Sequence, residues 1–278
     1  MLVKRFFLPL ICLLFSLQVQ ATERLTIAMI PAEDSRAMLA QSAPLFDALA
    51  EKLGVQVKGY VAADYNGAIE ALRAGHVDLA YLGPFSYVKA AELAEVEAFV
   101  VAKKSDSPDT GYKSQIIVQA DSEIFAIEDL KGTNFAFVAP TSTSGYMFPM
   151  AKLKESGLEP RQFFKNAVYS GSHDASILAV KHGRVEAAAV ADRILQSALS
   201  KGLVAENEIR VIWSSDAIPE SPMVWRRDLP EKTRVRIKEA FLSLRGVRFG
   251  DQGLVNSFEP TEDSAYDAVR EVYRSSKG

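Results

Sequence analysis

The sequence predicts an α/β protein with two lobes of similar architecture around a cleft, and three observations support this. First, an apolar segment at 25–30, a helix over roughly 38–53 and a second strand at 55–61 form a β-α-β unit, which implies parallel strands. Second, one helix-to-strand pattern occurs twice along the chain. Third, two extended segments are suited to cross from one lobe to the other.

The repeated pattern is Ala-(Leu/Val)-basic-x-Gly-x-Val-acid-x-Ala, at 71–80 and again at 179–188. In each copy a helix ends at the glycine and a strand follows it. Two copies at matching places in α/β segments indicate two related lobes. We therefore expect lobe one to comprise 22–115 and 215–278, and lobe two to comprise 116–214.

Short-range signals predict the remaining helices. One starts near Tyr65 and ends at Gly75, and the turn at Gly83 opens another. Two helices close the chain. The first follows an Asp cap with Pro230 near its start, and the second follows Thr261 with two acidic residues in its first turn.

The two predicted crossings between lobes are a strand at 111–118 and a return segment within 211–225. A domain inserted into another in this way creates a cleft at the hinge. Ligands of open α/β sheets bind beyond the carboxyl ends of the strands. The turns after the predicted strands are therefore candidate ligand contacts that can face one cleft.

The strongest candidate is a hydroxyl-rich turn, Pro140–Gly145, which we name the cradle; it lies between an apolar strand and a helix. Unpaired N–H groups and the partial positive charge at a helix start favour an anion. Together with Ser142, Thr143 and Ser144 they form a neutral donor set that can hold a phosphate-shaped group. Ser and Thr are also preferred N-caps, so helix capping alone is the alternative. Pro149 predicts a short first turn followed by a bend.

The N-terminal residues have the pattern of a secretory signal. Lys4 and Arg5 precede an apolar run of 14 residues, and cleavage is expected after Ala21. The run is shorter than the roughly 20 residues of a membrane-spanning helix, the alternative interpretation. Cys12 lies within the run without small residues before it, which argues against a lipoprotein signal.

Removal of residues 1–21 leaves 30 of the 32 basic residues against all 35 acidic ones, a net charge of −5. The remaining chain has no cysteine, which excludes disulfides, a Cys nucleophile and Cys-based zinc sites. A mildly acidic surface argues against nucleic acid as a partner. We expect a soluble periplasmic protein.

His173 and Asp174 follow a predicted strand and open a helix. A His in this position can donate to an oxyanion while the acid fixes its tautomer, and helix capping by Asp174 is the alternative. A catalytic triad with Ser144 is disfavoured because no Gly-x-Ser-x-Gly elbow exists and adjacent His and Asp cannot easily form the required hydrogen bond. His76 and His182 lack metal-ligand spacing. We therefore expect neither catalysis nor a metal or other cofactor.

Tyr65 and Tyr112 lie near the edges of the predicted lobes. Tyrosine hydroxyls can line anion and polar sites. Ordinary half-buried aromatic residues are the alternative.

Several motifs occur in one order along the chain. They are Asp64-Tyr65, Gly75-x-Val77-Asp78-x-Ala80-Tyr81-x-Gly83, Ser142-Thr143-Ser144-Gly145, Gly171-x-His173-Asp174 and Ile218-Pro219-x-x-Pro222-x-Val224-Trp225-Arg226. Together they resemble the phosphate/phosphite/phosphonate-binding subunits of ABC importers. The resemblance spans essentially the whole chain after the signal sequence.

This resemblance implies a type II periplasmic-binding-protein fold, with two α/β lobes joined by two crossover segments around a cleft that closes on an oxyanion. It also implies a ligand-binding set: Tyr65, Tyr112, Ser142, Thr143, Ser144, His173 and Asp174. The implied partner is an ABC permease in the inner membrane, and a monomer is expected. Members of the family also serve as sensor subunits, so action on a histidine kinase is the alternative.

One departure from the family pattern bears on the ligand. Members that take an aminoalkyl phosphonate supply two carboxylates for the amine. Here one of those positions is Ser221, and the other falls near Asp192-Arg193. The resemblance therefore favours phosphite or an alkylphosphonate without choosing between them.

Overall fold

The computed structural model describes residues 24–104 and 111–276; the predicted signal sequence lies outside them. Within these residues, twelve strands form two sheets. The strands are β1 Arg24–Met29, β2 Gln56–Val61, β3 Leu79–Tyr81, β4 Val96–Lys103, β5 Ser114–Gln119, β6 Asn134–Phe137, β7 Asn166–Tyr169, β8 Ala187–Ala191, β9 Ile209–Ser214, β10 Pro222–Arg226, β11 Arg245–Phe249 and β12 Gly253–Pro260.

Helices connect and cover these strands. They are α1 Ser35–Leu53, α2 Tyr65–Arg73, α3 Pro84–Leu93, α4 Phe148–Glu155, α5 Pro160–Phe163, α6 His173–Lys181, α7 Asp192–Ser200, α8 Glu231–Ser243 and α9 Asp267–Ser275. The longest, α1, shows how local sequence sets the bounds. The Asp34 carboxylate accepts from the Ala37 N–H at 2.9 Å, and the chain leaves the helix through Gly54 at φ 68°, a conformation that costs glycine little.

The larger sheet has the strand order β11-β12-β4-β10-β3-β1-β2. Strand β1 is parallel to β2 and β3, as the predicted β-α-β unit requires. The other pairings are antiparallel: β10 with β3 and β4, and β12 with β4 and β11. The sheet is therefore mixed, and its antiparallel half includes strands that the sequence analysis did not anticipate.

The smaller sheet has the order β7-β6-β8-β5-β9. Strand β6 is parallel to both β7 and β8, while β5 is antiparallel to β8 and β9. The second copy of the repeated pattern forms α6 and β8 of the smaller lobe, and the first copy forms α2 and β3 of the larger lobe. Both copies thus occupy equivalent places in their sheets.

Two crossover segments join the sheets and pair with each other. The Tyr112 N–H donates to the Ile218 carbonyl at 3.0 Å, and the Ile218 N–H donates back to Tyr112 at 2.7 Å. The molecule thus consists of two α/β lobes joined by two crossovers around a cleft. The predicted lobe boundaries stay a prediction, and the strands of the larger sheet lie within 24–103 and 222–260.

Apolar side chains pack on both faces of each sheet, and one cluster continues across the cleft. Val138, Ala139 and Met147 of the smaller lobe pack with Leu82 and Phe85 of the larger lobe. All five are buried. This contact holds the cradle against the opposite lobe.

The closing helices begin later than the sequence analysis predicted. Pro230 is itself the residue before α8, and Asp228 pairs with Arg226 at 2.7 Å instead of capping the helix. Likewise, a 3₁₀ turn at Asp263–Tyr266 precedes α9.

Candidate functional site

The turns that follow the parallel strands of both sheets meet in the cleft. In the larger lobe, Tyr65 follows β2 and Gly83 follows β3. In the smaller lobe, the cradle follows β6, His173 follows β7 and Arg193 follows β8. Since carboxyl ends of parallel strands lie at one edge of a sheet, these residues face the same space.

The cradle forms a closed, tightly packed turn. The Ser142 hydroxyl accepts from the Gly145 N–H at 3.1 Å, and a wide π-type turn, Thr143–Met147, precedes α4. The predicted short first turn is therefore present, with Pro149 at the second position of α4. A side chain at Gly145 would place its Cβ 2.4 Å from Val138 and 2.8 Å from the Ser142 hydroxyl, so only glycine fits.

Three cradle residues with hydroxyls are buried, and the Thr143 hydroxyl contacts the opposite lobe. Ser142, Thr143 and Ser144 are 1%, 3% and 1% exposed. The Thr143 hydroxyl oxygen accepts from the Phe85 N–H of α3 at 2.9 Å. Beside it, the Ser86 hydroxyl donates to the Thr141 carbonyl at 2.8 Å. The cradle is thus one of the places where the two lobes contact through polar groups.

Tyr65 and Tyr112 place phenol hydroxyls beside the cradle from two directions. Burial raises the pKa of Tyr65, and the adjacent Ser142 hydroxyl offsets this only in part. Burial also raises the pKa of Tyr112 to about 12, against the opposing effects of Arg193 and of the Thr143 and Ser144 hydroxyls. Both phenols stay protonated near neutral pH, so each can donate a hydrogen bond to an anion.

His173 is a buried, neutral donor. Its Nδ1 accepts from the Ala191 N–H at 3.1 Å, so the ring proton of the neutral form resides on Nε2. Burial, reinforced by the charge of Arg193, lowers the pKa of His173 to about 3. Its backbone N–H donates across the cleft to the Ala32 carbonyl at 2.9 Å.

Asp174 does not fix the tautomer of His173, which corrects one role expected from the sequence. Its carboxylate accepts from the Ser172 hydroxyl and from the Ala175 N–H, the latter at 2.8 Å. These are local bonds at the start of α6, and the Ala191 amide orients the imidazole instead. A direct contact between Asp174 and the ligand stays a prediction.

An ion pair between Arg193 and Asp251 crosses the cleft, and the sequence analysis did not assign it a role. The guanidinium is in contact with the Asp251 carboxylate, and their side chains are 10% and 0% exposed. The guanidinium carbon lies 4.9 Å from the centre of the Tyr112 ring. The pair therefore lies beside the donor groups, and its two charges largely cancel there.

A second ion pair joins the lobes at the rim of the cleft. The Lys201 ammonium contacts both Glu33 carboxylate oxygens at 3.1 and 3.0 Å. Glu33 is buried and the Lys201 side chain is 38% exposed. No local sequence signal links these residues, because they are brought together only when the lobes meet.

A cavity of about 530 Å³ adjoins the donor groups near the hinge. Tyr112 and Arg193 line it together with Lys104, Pro219, Glu220 and Tyr266. Across residues 24–104 and 111–276, no cluster of His, Asp or Glu is suited to a metal ion. In the same ranges, no helix has the length and hydropathy needed to cross a membrane.

Comparison with known proteins identifies the family. The family model described as "ABC transporter, phosphonate, periplasmic substrate-binding protein" matches residues 27–266. The chain belongs to this family. It is therefore a substrate-binding subunit of an ABC importer, with the type II periplasmic-binding-protein fold that the sequence motifs imply.

Two relatives of this phosphonate-binding family illustrate its range. The chain is 30% identical over 275 residues to the phosphate-import protein PhnD of Mycolicibacterium smegmatis, covering 90% of this chain and 85% of that protein. It is 32% identical over 224 residues to the phosphonates-binding periplasmic protein of Escherichia coli, covering 79% of this chain and 65% of that protein.

Solved structures of phosphonate-binding proteins share the fold. The binding protein component of an ABC phosphonate transporter from Pseudomonas aeruginosa superposes with a TM-score of 0.84 at 26% identity, covering 92% of this chain and 87% of that one. PhnD1 from Prochlorococcus marinus, in complex with methylphosphonate, has a TM-score of 0.79 at 24% identity, with coverage of 90% and 97%.

Proposed function

We propose that this phosphonate-family protein captures a small phosphorus oxyanion, phosphite or a short alkylphosphonate, between its lobes and delivers it to a membrane permease. One observation carries the proposal. Three cradle residues with hydroxyls are buried, beside two protonated phenols and a neutral imidazole with its proton on Nε2. These are uncharged donors of the kind that a tetrahedral anion requires.

The proposed action is reversible capture without a chemical step. Hydrogen bonds to a charged group contribute about 1.5–3 kcal/mol each, so a few of them suffice for tight binding. Burial excludes water and strengthens each bond further. We assign the ligand oxygens to Ser142, Thr143 and Ser144 on one side and to Tyr65, Tyr112 and His173 around them.

Closure of the lobes would depend on the contacts that cross the cleft. The Phe85 amide reaches Thr143, Ser86 reaches the Thr141 carbonyl, and the His173 amide reaches Ala32. A ligand shifts the open–closed equilibrium only by its greater affinity for the closed form. Donors on both lobes give it that difference, and the permease would then recognise the closed surface.

The site chemistry favours a ligand without an amine. An ammonium group needs a carboxylate among the donor groups, but Asp251 is paired with Arg193, position 221 is a buried serine, and Glu220 lies in the cavity on the far side of Arg193. The M. smegmatis relative is named for phosphate import, and the P. marinus structure contains methylphosphonate. Both anions therefore belong in a test of this protein. We further propose that it acts as a periplasmic monomer after cleavage of its signal sequence at Ala21.

A thermal-shift screen followed by calorimetry tests the proposal. The panel is phosphite, methylphosphonate, 2-aminoethylphosphonate, phosphate and sulfate. A ligand that binds only the folded state raises the melting temperature. We expect phosphite or methylphosphonate to give the largest shift.

The Thr143→Ala/Ser144→Ala double variant assigns the site. Loss of two hydrogen bonds to an anion should cost about 3–6 kcal/mol, a weakening of roughly 10²- to 10⁴-fold. Ser200→Ala, which removes an exposed hydroxyl at the end of α7, serves as the control and should bind as wild type. Wild-type affinity in a folded double variant would refute the assignment of the cradle.

A further inference from the structure

The cavity near the hinge and the donor groups share only one wall. Two residues that line the cavity also border the donor groups: Tyr112, which is itself a donor, and Arg193 beside it. The cradle residues do not line the cavity. On the other side of this wall lie Tyr65, His173 and the cradle residues Ser142, Thr143 and Ser144, all of them buried. Arg193 and Tyr112 therefore separate the cavity from these residues.

This wall is held rigidly. The Arg193 guanidinium lies over the Tyr112 ring, with 4.9 Å between the guanidinium carbon and the ring centre. It is fixed at its far end by the Asp251 carboxylate of the other lobe. Both side chains are buried, so a ligand group could pass only by displacing a desolvated ion pair, which is costly.

We propose that Arg193, stacked on Tyr112 and anchored by Asp251, is a specificity-determining residue that limits the size of the ligand's substituent. This inference rests on the proposed function. On this proposal phosphite and methylphosphonate stay on the donor side of the wall, whereas a longer alkyl or aryl chain directed toward it would meet the guanidinium. Without the wall, such a chain could enter the cavity of about 530 Å³.

The polar lining of the cavity is consistent with a role for the wall. Glu220 and Lys104 lie on its far side, where burial raises the pKa of Glu220 and lowers that of Lys104. Their charged groups are poor neighbours for an alkyl chain but do not obstruct it, since the volume is open. Size selection is therefore assigned to Arg193 and not to the cavity itself.

A chain-length series measures the effect in the wild-type protein. Calorimetry with methyl-, ethyl-, n-butyl- and phenylphosphonate compares ligands that differ only in the substituent. Forcing extra groups into a packed site typically weakens binding by about 10- to 100-fold, which is the loss we expect between methyl- and n-butylphosphonate.

Two double variants separate the steric wall from the charge. Arg193→Ala/Asp251→Asn removes the wall without leaving a buried unpaired carboxylate, and it should bind n-butylphosphonate at least as tightly as methylphosphonate. Each newly buried methylene can add about fourfold to affinity. Arg193→Met/Asp251→Asn is the matched control, because methionine keeps much of the length without the charge, so the preference for methylphosphonate should persist.

The outcomes distinguish the two proposals. If no phosphorus oxyanion binds the wild-type protein, the proposed function fails and the inference fails with it. If methyl- and n-butylphosphonate bind the wild type equally, only the size limit is wrong. If the alanine variant keeps the wild-type preference, or the methionine variant loses it, Arg193 is not a steric wall. Should neither variant fold, Arg193→Lys replaces them: a smaller loss from methyl- to n-butylphosphonate than in wild type supports the wall, and an unchanged loss overturns it.

Discussion

The buried imidazole of His173 gives the structure a testable dependence of stability on pH. Its pKa in the folded protein is about 3, against an ordinary value of 6.5. Above pH 6.5 the ring is neutral in both states. As pH falls below 6.5, the unfolded chain binds a proton that the folded protein does not accept until near pH 3. The unfolded state then binds more protons, so stability must decrease over this window.

The magnitude follows from the difference between the two pKa values. Each unit of difference corresponds to 1.36 kcal/mol, so the full window from 6.5 to about 3 represents about 5 kcal/mol. Between pH 6 and pH 4 the unfolded chain holds close to one proton more than the folded protein, and the expected loss is about 3 kcal/mol. His173 is only 3% exposed, so solvent screening reduces the expected loss of stability only slightly.

Urea unfolding at pH 4, 5, 6 and 7 measures this loss for wild type and for His173→Gln. The variant should lose about 3 kcal/mol less than wild type between pH 6 and pH 4, because glutamine has no proton to bind. His76→Gln replaces an exposed histidine and should follow the wild-type curve. Parallel curves for wild type and His173→Gln would refute the buried, neutral state of His173.

Three further predictions test the site and its closure. Tyr65→Phe should weaken anion binding about 10- to 100-fold in calorimetry while the ligand-free melting temperature stays close to wild type; unchanged affinity would remove Tyr65 from the donor set. Gly145→Ala should lower the free energy of unfolding in urea by about 1–3 kcal/mol, since its Cβ would lie 2.4 Å from Val138, and wild-type stability would contradict that packing. Glu33→Gln should weaken binding by no more than about fivefold, with the difference fading at high salt; a salt-independent loss would argue against its pairing with Lys201.

Sequence patterns predicted those elements of the fold that are determined by residues close together in the sequence. The β1–α1–β2 unit has clear apolar periodicity and a glycine stop, and the cradle is a run of hydroxyls after an apolar strand. The antiparallel strands β4, β11 and β12 were not anticipated. Strand β12 pairs with β4 across more than 150 residues, as Lys103 with Ser257 shows, and no local signal records that distance. Strand β11 is held in the sheet by its pairing with β12.

The family resemblance helped to predict which residues donate to the ligand. The sequence did not predict the tautomer of His173 or the ion pair beside the donors. A tautomer set by the Ala191 amide depends on how β8 lies against α6, which the residue types do not reveal. The adjacent Asp174 seemed the natural partner of His173, but its carboxylate is closer to its own helix start. Arg193 and Asp251 are 58 residues apart, and only closure of the lobes makes them a pair.

The contacts across the cleft fall into two groups with different consequences for affinity. The hydroxyl of Ser86 and the carbonyl of Thr141 connect the lobes without needing a ligand. Lys201 with Glu33 does the same. Such contacts stabilise the closed form itself, so removing one weakens every ligand by the same factor, since binding includes closure. The pair of Arg193 with Asp251 forms the second group: it also connects the lobes, but its guanidinium limits the substituent in our proposal, so its loss changes the ranking of ligands. Comparing ratios of affinities across the panel therefore separates residues that close the lobes from residues that choose the anion.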